Sequence, residues 1–256
     1  MRIVTNNSSQ LDVNRSTVSK NGILKIGLWF LGVMLVPQVN AMILLFIYYV
    51  SIQGGAPNAT HFGDWYNTIS IVMIGTLLAS IFTIPLLFRA TPGNHFVQRL
   101  KYWGIKRVQA NVLVKWTVFA ALLFSLLQVV GLVLGIPDEP FILTLKTQVN
   151  STSLMITLFV SAGILAPVLE EIIYRGWLYQ RLVDEKIDAK KVVVLTSLIF
   201  ALVHSQYEHS FTFFTIFSFG LLFGYIRYKS QNIAYCILIH MLYNVTLLVY
   251  TLFFMA

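Results

Sequence analysis

Long apolar stretches separated by short polar segments make up most of the chain. A transmembrane helix needs about 20 mostly apolar residues, so these stretches are predicted to span a membrane. The pattern predicts an all-α, polytopic membrane bundle of about seven transmembrane helices, with eight as the alternative. The predicted spans are Ile23–Val50, Thr68–Phe88, Val112–Ile136, Ser153–Tyr174, Val192–His204, Phe211–Tyr228 and Ile233–Phe254. The fifth is short, and Pro37 with Gln38 and Asn40 favours a kink or break in the first.

The domain organisation follows from the same pattern. Residues 1–22 form a polar tail, and residues 23–256 form one membrane domain without an internal repeat or a soluble domain. A short apolar region with a small-residue cleavage site does not follow the tail, so we expect no removable signal peptide.

Composition places the chain in a bilayer rather than in water. It is 57% hydrophobic and 11% charged, whereas soluble domains carry about 25% charged residues. The net charge is +8, and basic residues cluster in the tail and in alternate connections. This alternation predicts a multi-pass cell-membrane protein with a cytoplasmic N-terminus, and it argues against a nucleic-acid surface. The single cysteine, Cys236, excludes an internal disulfide framework, and the oligomeric state stays unknown.

A few strongly polar residues interrupt the last four predicted spans. An ionisable group inside a span costs about 2.5–3.5 kcal/mol and therefore marks a candidate functional site. The chain has only 10 acidic residues, and two of them are adjacent within an apolar stretch. The polar residues are Glu170, Glu171, Arg175, His204, His240 and Asn244.

Helical geometry separates the roles of the two glutamates. Glu171 and Arg175 are four residues apart and share a helix face, so they can pair. Glu170 lies about 100° further round the helix and is left to face other spans. With straight helices and a rise of about 1.5 Å per residue, Glu170, His204 and His240 fall at similar depths, about 16 to 20 Å from the basic connections.

A carboxylate, two imidazoles and an amide suit hydrolysis. A carboxylate can take a proton from water and return it to a leaving amine, with a histidine assisting. A second histidine and an asparagine can stabilise an oxyanion. Glutamate and histidine are also common ligands of zinc. Glu170, His204 and His240 are therefore candidate ligands of a divalent metal ion. The His-Glu-x-x-His helix of common zinc proteases is absent, and the choice between metal and direct carboxylate activation stays open.

Three motifs resemble those of the CPBP family of intramembrane proteases, also called Abi or CAAX-protease-like proteins. The resemblance covers about Ser153 to Val249 and includes Gly220-Leu-Leu-Phe-Gly224, whose small residues let helices approach closely. The motifs are Glu170-Glu171-Ile-Ile-Tyr-Arg175, Phe200-Ala-Leu-Val-His204 and His240-Met-Leu-Tyr-Asn244.

The resemblance implies a role for each motif residue. Glu170 would activate water with His204 assisting, His240 and Asn244 would stabilise the oxyanion, and Glu171 with Arg175 would support the site. Members of the family are described both as metalloproteases and as glutamate proteases. Their substrate is a peptide bond near a membrane-anchored end, often in a prenylated protein. Processing of a bacteriocin or pheromone peptide, or immunity to one, is the alternative setting.

Two functions of other classes remain as alternatives. Intramembrane glutamate and histidine also form proton relays, so a proton-coupled transporter is one, although the repeated halves of many transporters are absent. A non-catalytic bacteriocin immunity protein is the other. Protection that survives loss of both His204 and His240 would indicate the latter.

Overall fold

The computed structural model describes residues 20–53, 61 and 68–255. The predicted polar tail, residues 1–22, lies outside the described residues except for its last three. Those three already belong to the first helix, which begins at Lys20 rather than at Ile23.

Nine helices and no strand are present in the described residues. They are α1 (Lys20–Gln53), α2 (Ile69–Ala90), α3 (Phe96–Trp103), α4 (Ala110–Val133), α5 (Pro140–Gln148), α6 (Thr152–Asp184), α7 (Ala189–Leu202), α8 (Ser210–Ser230) and α9 (Ile233–Phe253). Six of these, namely α1, α2, α4, α6, α8 and α9, are long and apolar enough to cross a membrane. The prediction of a polytopic all-α membrane bundle is therefore confirmed.

Two predicted spans differ from the helices observed. The first was expected to kink or break at Pro37, and α1 continues without a break through this buried proline as one helix of 34 residues. The fifth predicted span, Val192–His204, corresponds to α7, which has 14 residues and ends at Leu202. His204 therefore lies just beyond the helix rather than inside it.

The helix α6 departs from regular α-helical geometry at two places. Residues Phe159–Leu165 and Ile172–Leu178 form π-helical turns, which flank a short α-helical stretch, Ala166–Glu171. Such turns widen a helix and are frequent at functional sites. Both glutamates of the first motif lie at the end of the central stretch, between the two π-helical segments.

Pro167 follows the first π-helical segment and leaves one carbonyl of that segment without a backbone donor. The Ala166 N–H donates to Ser161 O, the i→i−5 pairing of a π-helix. In the same register the Ala162 carbonyl would accept from residue 167, but proline has no N–H. The Asn244 side chain of α9 donates to Ala162 O instead, at 2.9 Å.

Close packing of α7 against α8 depends on two glycines. A Cβ on Gly224 would lie 2.8 Å from Val193 Cγ1, and one on Gly220 would lie 3.0 Å from Ser197 Cβ. The backbone of α8 can thus approach α7 in the way that small residues four apart allow.

Hydrogen bonds from two tryptophan side chains connect the end of α2 to the core of the bundle. Trp177 Nε1 on α6 donates to Ala90 O at 3.1 Å. Trp103 Nε1 on α3 donates to Thr91 Oγ1 at 2.9 Å. Both tryptophans are buried in the core cluster that also contains Tyr174 and Phe200, so this core supports the helix that carries the glutamates.

Candidate active site

The centre of the site is a buried network on Glu171. Its Oε1 accepts from Arg175 Nη1 at 3.2 Å and from His240 Nδ1 at 3.0 Å. Glu171 and Arg175 are both 0% exposed. Two donors on one carboxylate oxygen fix the side chain and also fix the orientation of the His240 ring.

Arg175 is enclosed by aromatic rings and by the backbone of α8. Its Nη2 donates to Gly220 O at 3.3 Å. Its Cζ lies 4.3 Å from the ring centroid of Phe200 and 5.7 Å from that of Phe223. Cation–π contacts of this kind stabilise a desolvated guanidinium, so Arg175 braces the site from the protein interior.

Glu170 points to a different environment from its neighbour. It is only partly buried, and its Oε2 lies 3.7 Å from His240 Nε2. His240 therefore stands between the two glutamates, with Nδ1 on Glu171 and Nε2 toward Glu170. The carboxylate of Glu170 has no arginine partner in the described part of the chain, which leaves it available as a base.

His204 lies beside this cluster but is not bonded to it. Its Nδ1 donates to Phe200 O at 2.6 Å, which leaves Nε2 as the acceptor of the neutral ring. Its ring packs on Phe200 at 4.7 Å and stacks on Tyr207 at 6.3 Å between centroids. Within the described residues no hydrogen bond or ion pair joins His204 to Glu170 or His240.

Asn244 is one helical turn from His240, as its spacing predicted. One of its amide N–H groups is used by Ala162 O. A side-chain amide carries two N–H groups, so the second stays available for a ligand.

Tyr207 and Glu139 adjoin the site and were missed by sequence reasoning. Burial first, and then the charges of Glu170 and Glu139, raises the pKa of Tyr207 in the 203–209 connection to about 12. Its phenol therefore remains a proton donor at neutral pH. No spacing in the sequence indicated that this connection adjoins Glu170.

Glu139 fixes the position of the same connection. Its carboxylate accepts from the backbone N–H of Glu208 and of His209, each at 3.1 Å. Burial would raise the pKa of Glu139, but hydrogen bonds from the Thr212 hydroxyl and these two N–H groups outweigh it and lower the pKa overall.

The candidate metal ligands do not converge on one point. No three His, Cys, Asp or Glu side chains among the described residues are placed to hold an ion. The Nδ1 atoms of His204 and His240 each form a hydrogen bond with a protein oxygen. Glu170 and His240 by themselves would supply only two ligands to a metal ion. Structural and catalytic zinc sites use three or four protein ligands, so Glu170, His204 and His240, which were the candidates for a metal, do not fit one as they are arranged here.

The fold and these side chains define a class of protein: a multi-pass membrane protein with acid–base groups gathered inside its helical bundle. Residues 151–246 match the family model of "Type II CAAX prenyl endopeptidase Rce1-like" proteins. The matched segment contains all three motifs, so the resemblance to the CPBP family is confirmed. That family is one of proteases, which supports peptidase activity in general.

One curated relative from Escherichia coli was also found. It is described as "Uncharacterized 24.3 kDa protein" and is 29% identical over 169 residues, which cover 65% of this chain and 74% of the relative. Its name assigns no activity. The comparison with solved structures found no match.

Proposed function

We propose that this protein is an intramembrane endopeptidase that hydrolyses a peptide bond of a membrane-associated peptide or protein. The observation that carries the proposal is the pair formed by Glu170 and His240 Nε2, at 3.7 Å. Glu171, which forms a buried ion pair with Arg175, fixes the same histidine through its other ring nitrogen, Nδ1. The match to a protease family over the same residues supports the same reading.

In the proposed mechanism Glu170 is the general base. It takes a proton from the water that attacks the scissile carbonyl and returns the proton to the leaving amine. His204 assists through Nε2, the nitrogen left as acceptor by the bond to Phe200 O. No step passes through a metal ion, because the donors present do not form a three-ligand set.

Stabilisation of the oxyanion falls to α9. When His240 is protonated, Nδ1–H donates to Glu171 and Nε2–H is available for the developing negative charge. The second N–H of Asn244, one turn further along, is the companion donor. Both side chains are preorganised by their existing bonds to Glu171 and Ala162, which removes reorganisation cost during the reaction.

For the setting, we propose a cell membrane with the N-terminus in the cytoplasm. The substrate would be cut near its membrane-anchored end, and a bacteriocin or pheromone peptide, processed or neutralised in self-immunity, is the proposed physiological target. The apolar surroundings of the site favour such a substrate over a soluble peptide.

The test is cleavage of membrane-anchored, quenched-fluorescent peptides by purified protein in lipid nanodiscs. We expect Glu170→Gln to lower kcat by about 10²- to 10⁴-fold, the contribution of a general base. The matched control Glu185→Gln changes a glutamate in the connection after α6 and should leave kcat unaltered. Full activity in Glu170→Gln would contradict the mechanism. Dialysis against a chelator adds a second arm: loss of cleavage that zinc restores would contradict direct carboxylate activation.

A further inference from the structure

A groove that is lined by none of the candidate site residues opens on the surface formed by α1, α2 and α3. Its volume is about 660 Å³, within the range of small-molecule sites. Its apolar wall comes from α1 and from the last turns of α2. The wall residues are Val36, Phe82, Pro85 and Leu86.

Two arginines line one end of this groove. Arg89 is the penultimate residue of α2 and is exposed, and Arg99 lies on α3 with its Cζ 5.5 Å from the ring centroid of Phe88. Neither arginine forms an ion pair with a carboxylate in the described part of the chain. The Nε of Arg99 is buried without a hydrogen-bond partner among the described residues. No acidic side chain lines the groove, so its polar end is a cluster of uncompensated positive charge.

The helix α3 has the composition of a helix that lies at a membrane surface. It is short and carries exposed Phe96 and Val97 together with basic Lys101. A helix with exposed apolar residues and basic groups is typical of one lying in the membrane interface. Arg89 also lies next to the end of α2, a helix long enough to cross a membrane. We therefore place the two arginines at headgroup level, with the wall of the groove extending from there along α2.

We propose that the groove is a binding site for an anionic phospholipid. The phosphodiester lies on Arg89 and Arg99, because a guanidinium presents several N–H donors in the geometry that phosphate oxygens accept. Part of one acyl chain lies along the wall, which extends about 10 Å from Arg89 to Phe82 at the helical rise. Basic pockets between transmembrane helices are sites of this kind for anionic headgroups.

The bound lipid would also stabilise the bundle. Arg89 precedes Ala90 and Thr91, whose oxygens accept from Trp177 of α6 and Trp103 of α3. A ligand that holds Arg89 and Arg99 together therefore connects α2 and α3 where both contact the core. Since ligands that bind only the folded state raise its stability, the thermal midpoint should rise with anionic lipid.

The test is titration of delipidated protein in detergent with dioleoyl phosphatidylglycerol, read by native mass spectrometry and by thermal unfolding. We expect Arg89→Gln to weaken the apparent Kd about fivefold, and Arg89→Gln with Arg99→Gln about 30-fold, as loss of one and two basic contacts predicts. The control, Lys115→Gln with Lys190→Gln, removes the same charge from exposed positions that belong neither to α3 nor to the lining of the groove. It should bind as the wild type does.

Several outcomes would overturn the proposal. One is that the groove variants bind phosphatidylglycerol as tightly as the wild type. Another is that the control variant loses as much affinity as the groove variants. Phosphatidylcholine binding as tightly as phosphatidylglycerol would remove the role of charge. Displacement of the lipid by inorganic phosphate or glycerol 3-phosphate at similar concentrations would show a free-anion site instead. Arg89 is exposed, so its single variant keeps the test valid if the double variant fails to fold.

Discussion

Glu170 and Glu171 are chemically identical neighbours with opposite surroundings. Glu171 is fully buried between Arg175 and His240. Glu170 is partly exposed, and His240 Nε2 is its nearest basic partner. A difference of one residue along the helix therefore separates a group that holds the site together from one that can react.

This separation predicts different consequences for the same substitution. In Glu171→Gln the buried Arg175 guanidinium loses its carboxylate, and breaking a buried pair in this way costs about 3–5 kcal/mol. In Glu170→Gln no buried charge is left alone, so the free energy of unfolding should change by less than about 1 kcal/mol. Thermal or denaturant unfolding in mixed micelles measures both.

A double variant serves as the control for Glu171. Glu171→Gln combined with Arg175→Met removes both charges, and replacing a buried pair by apolar groups is often neutral for stability. We expect stability to recover substantially while cleavage stays low, because His240 has lost its charged partner. Equal destabilisation by the two glutamate variants would show that the ion pair does not support the fold.

At the scale of the element, α6 shows what sequence can and cannot predict. The pairing of Glu171 with Arg175 follows from their spacing alone, since residues four apart remain neighbours on the helix surface. The π-helical turns do not follow from spacing. They depend on the hydrogen-bond partners of individual carbonyls, and the partner of Ala162 O lies 82 residues away along the chain.

The neighbourhood of the site was unpredictable for the same reason. Glu139 reaches the connection 203–209 from a segment 69 residues earlier in the sequence. That contact holds Tyr207 close to Glu170, although neither Glu139 nor Tyr207 belongs to a motif. Local patterns thus predicted the helices and the motif residues, while long-range polar contacts decided how α6, α7 and the connection after α7 meet.

The role of Asn244 can be tested through Pro167. Asn244→Ala leaves the Ala162 carbonyl without a donor, which costs about 1–3 kcal/mol when the group is buried. Pro167→Ala restores a backbone N–H near that carbonyl. In the Pro167→Ala background we therefore expect Asn244→Ala to cost at least about 1 kcal/mol less, measured as a double-mutant cycle on unfolding.

Activity in the same four proteins separates structure from catalysis. If Asn244 donates its second N–H to the oxyanion, kcat falls about 10²- to 10³-fold in Asn244→Ala whether or not residue 167 is proline. Recovery of kcat together with stability would mean that Asn244 acts only by supporting α6. An unfolding cost unchanged by Pro167→Ala would contradict the proposed compensation.

At the scale of the whole molecule, α7 is short for a helix that crosses a membrane. Its 14 residues span about 21 Å, less than the roughly 30 Å of a hydrocarbon core. If α7 begins at the cytoplasmic surface, we expect His204 and the 203–209 connection to lie below the opposite membrane surface. At that depth the polar groups of the connection, including Tyr207, would let water approach Glu170, as the proposed hydrolysis requires.

The same short helix makes the number of crossings a testable feature. With α7 as a crossing, the bundle has seven spans, and residues 186 and 206 lie on opposite sides of the membrane. The native Cys236 is 0% exposed and should not react with a maleimide. Single cysteines introduced elsewhere can therefore be labelled without removing it. Suitable exposed positions are Asp138, Lys186 and Gln206.

We expect Asp138→Cys and Gln206→Cys to react with a membrane-impermeant maleimide in intact cells. Lys186→Cys should react only after permeabilisation, because basic connections stay in the cytoplasm. Labelling of residues 186 and 206 from the same side would show that α7 does not cross, and the inverse pattern would reverse the proposed orientation. Either result would place the 203–209 connection on another side of the membrane or at another depth. The face from which a membrane-anchored substrate is proposed to reach Glu170 would change with it.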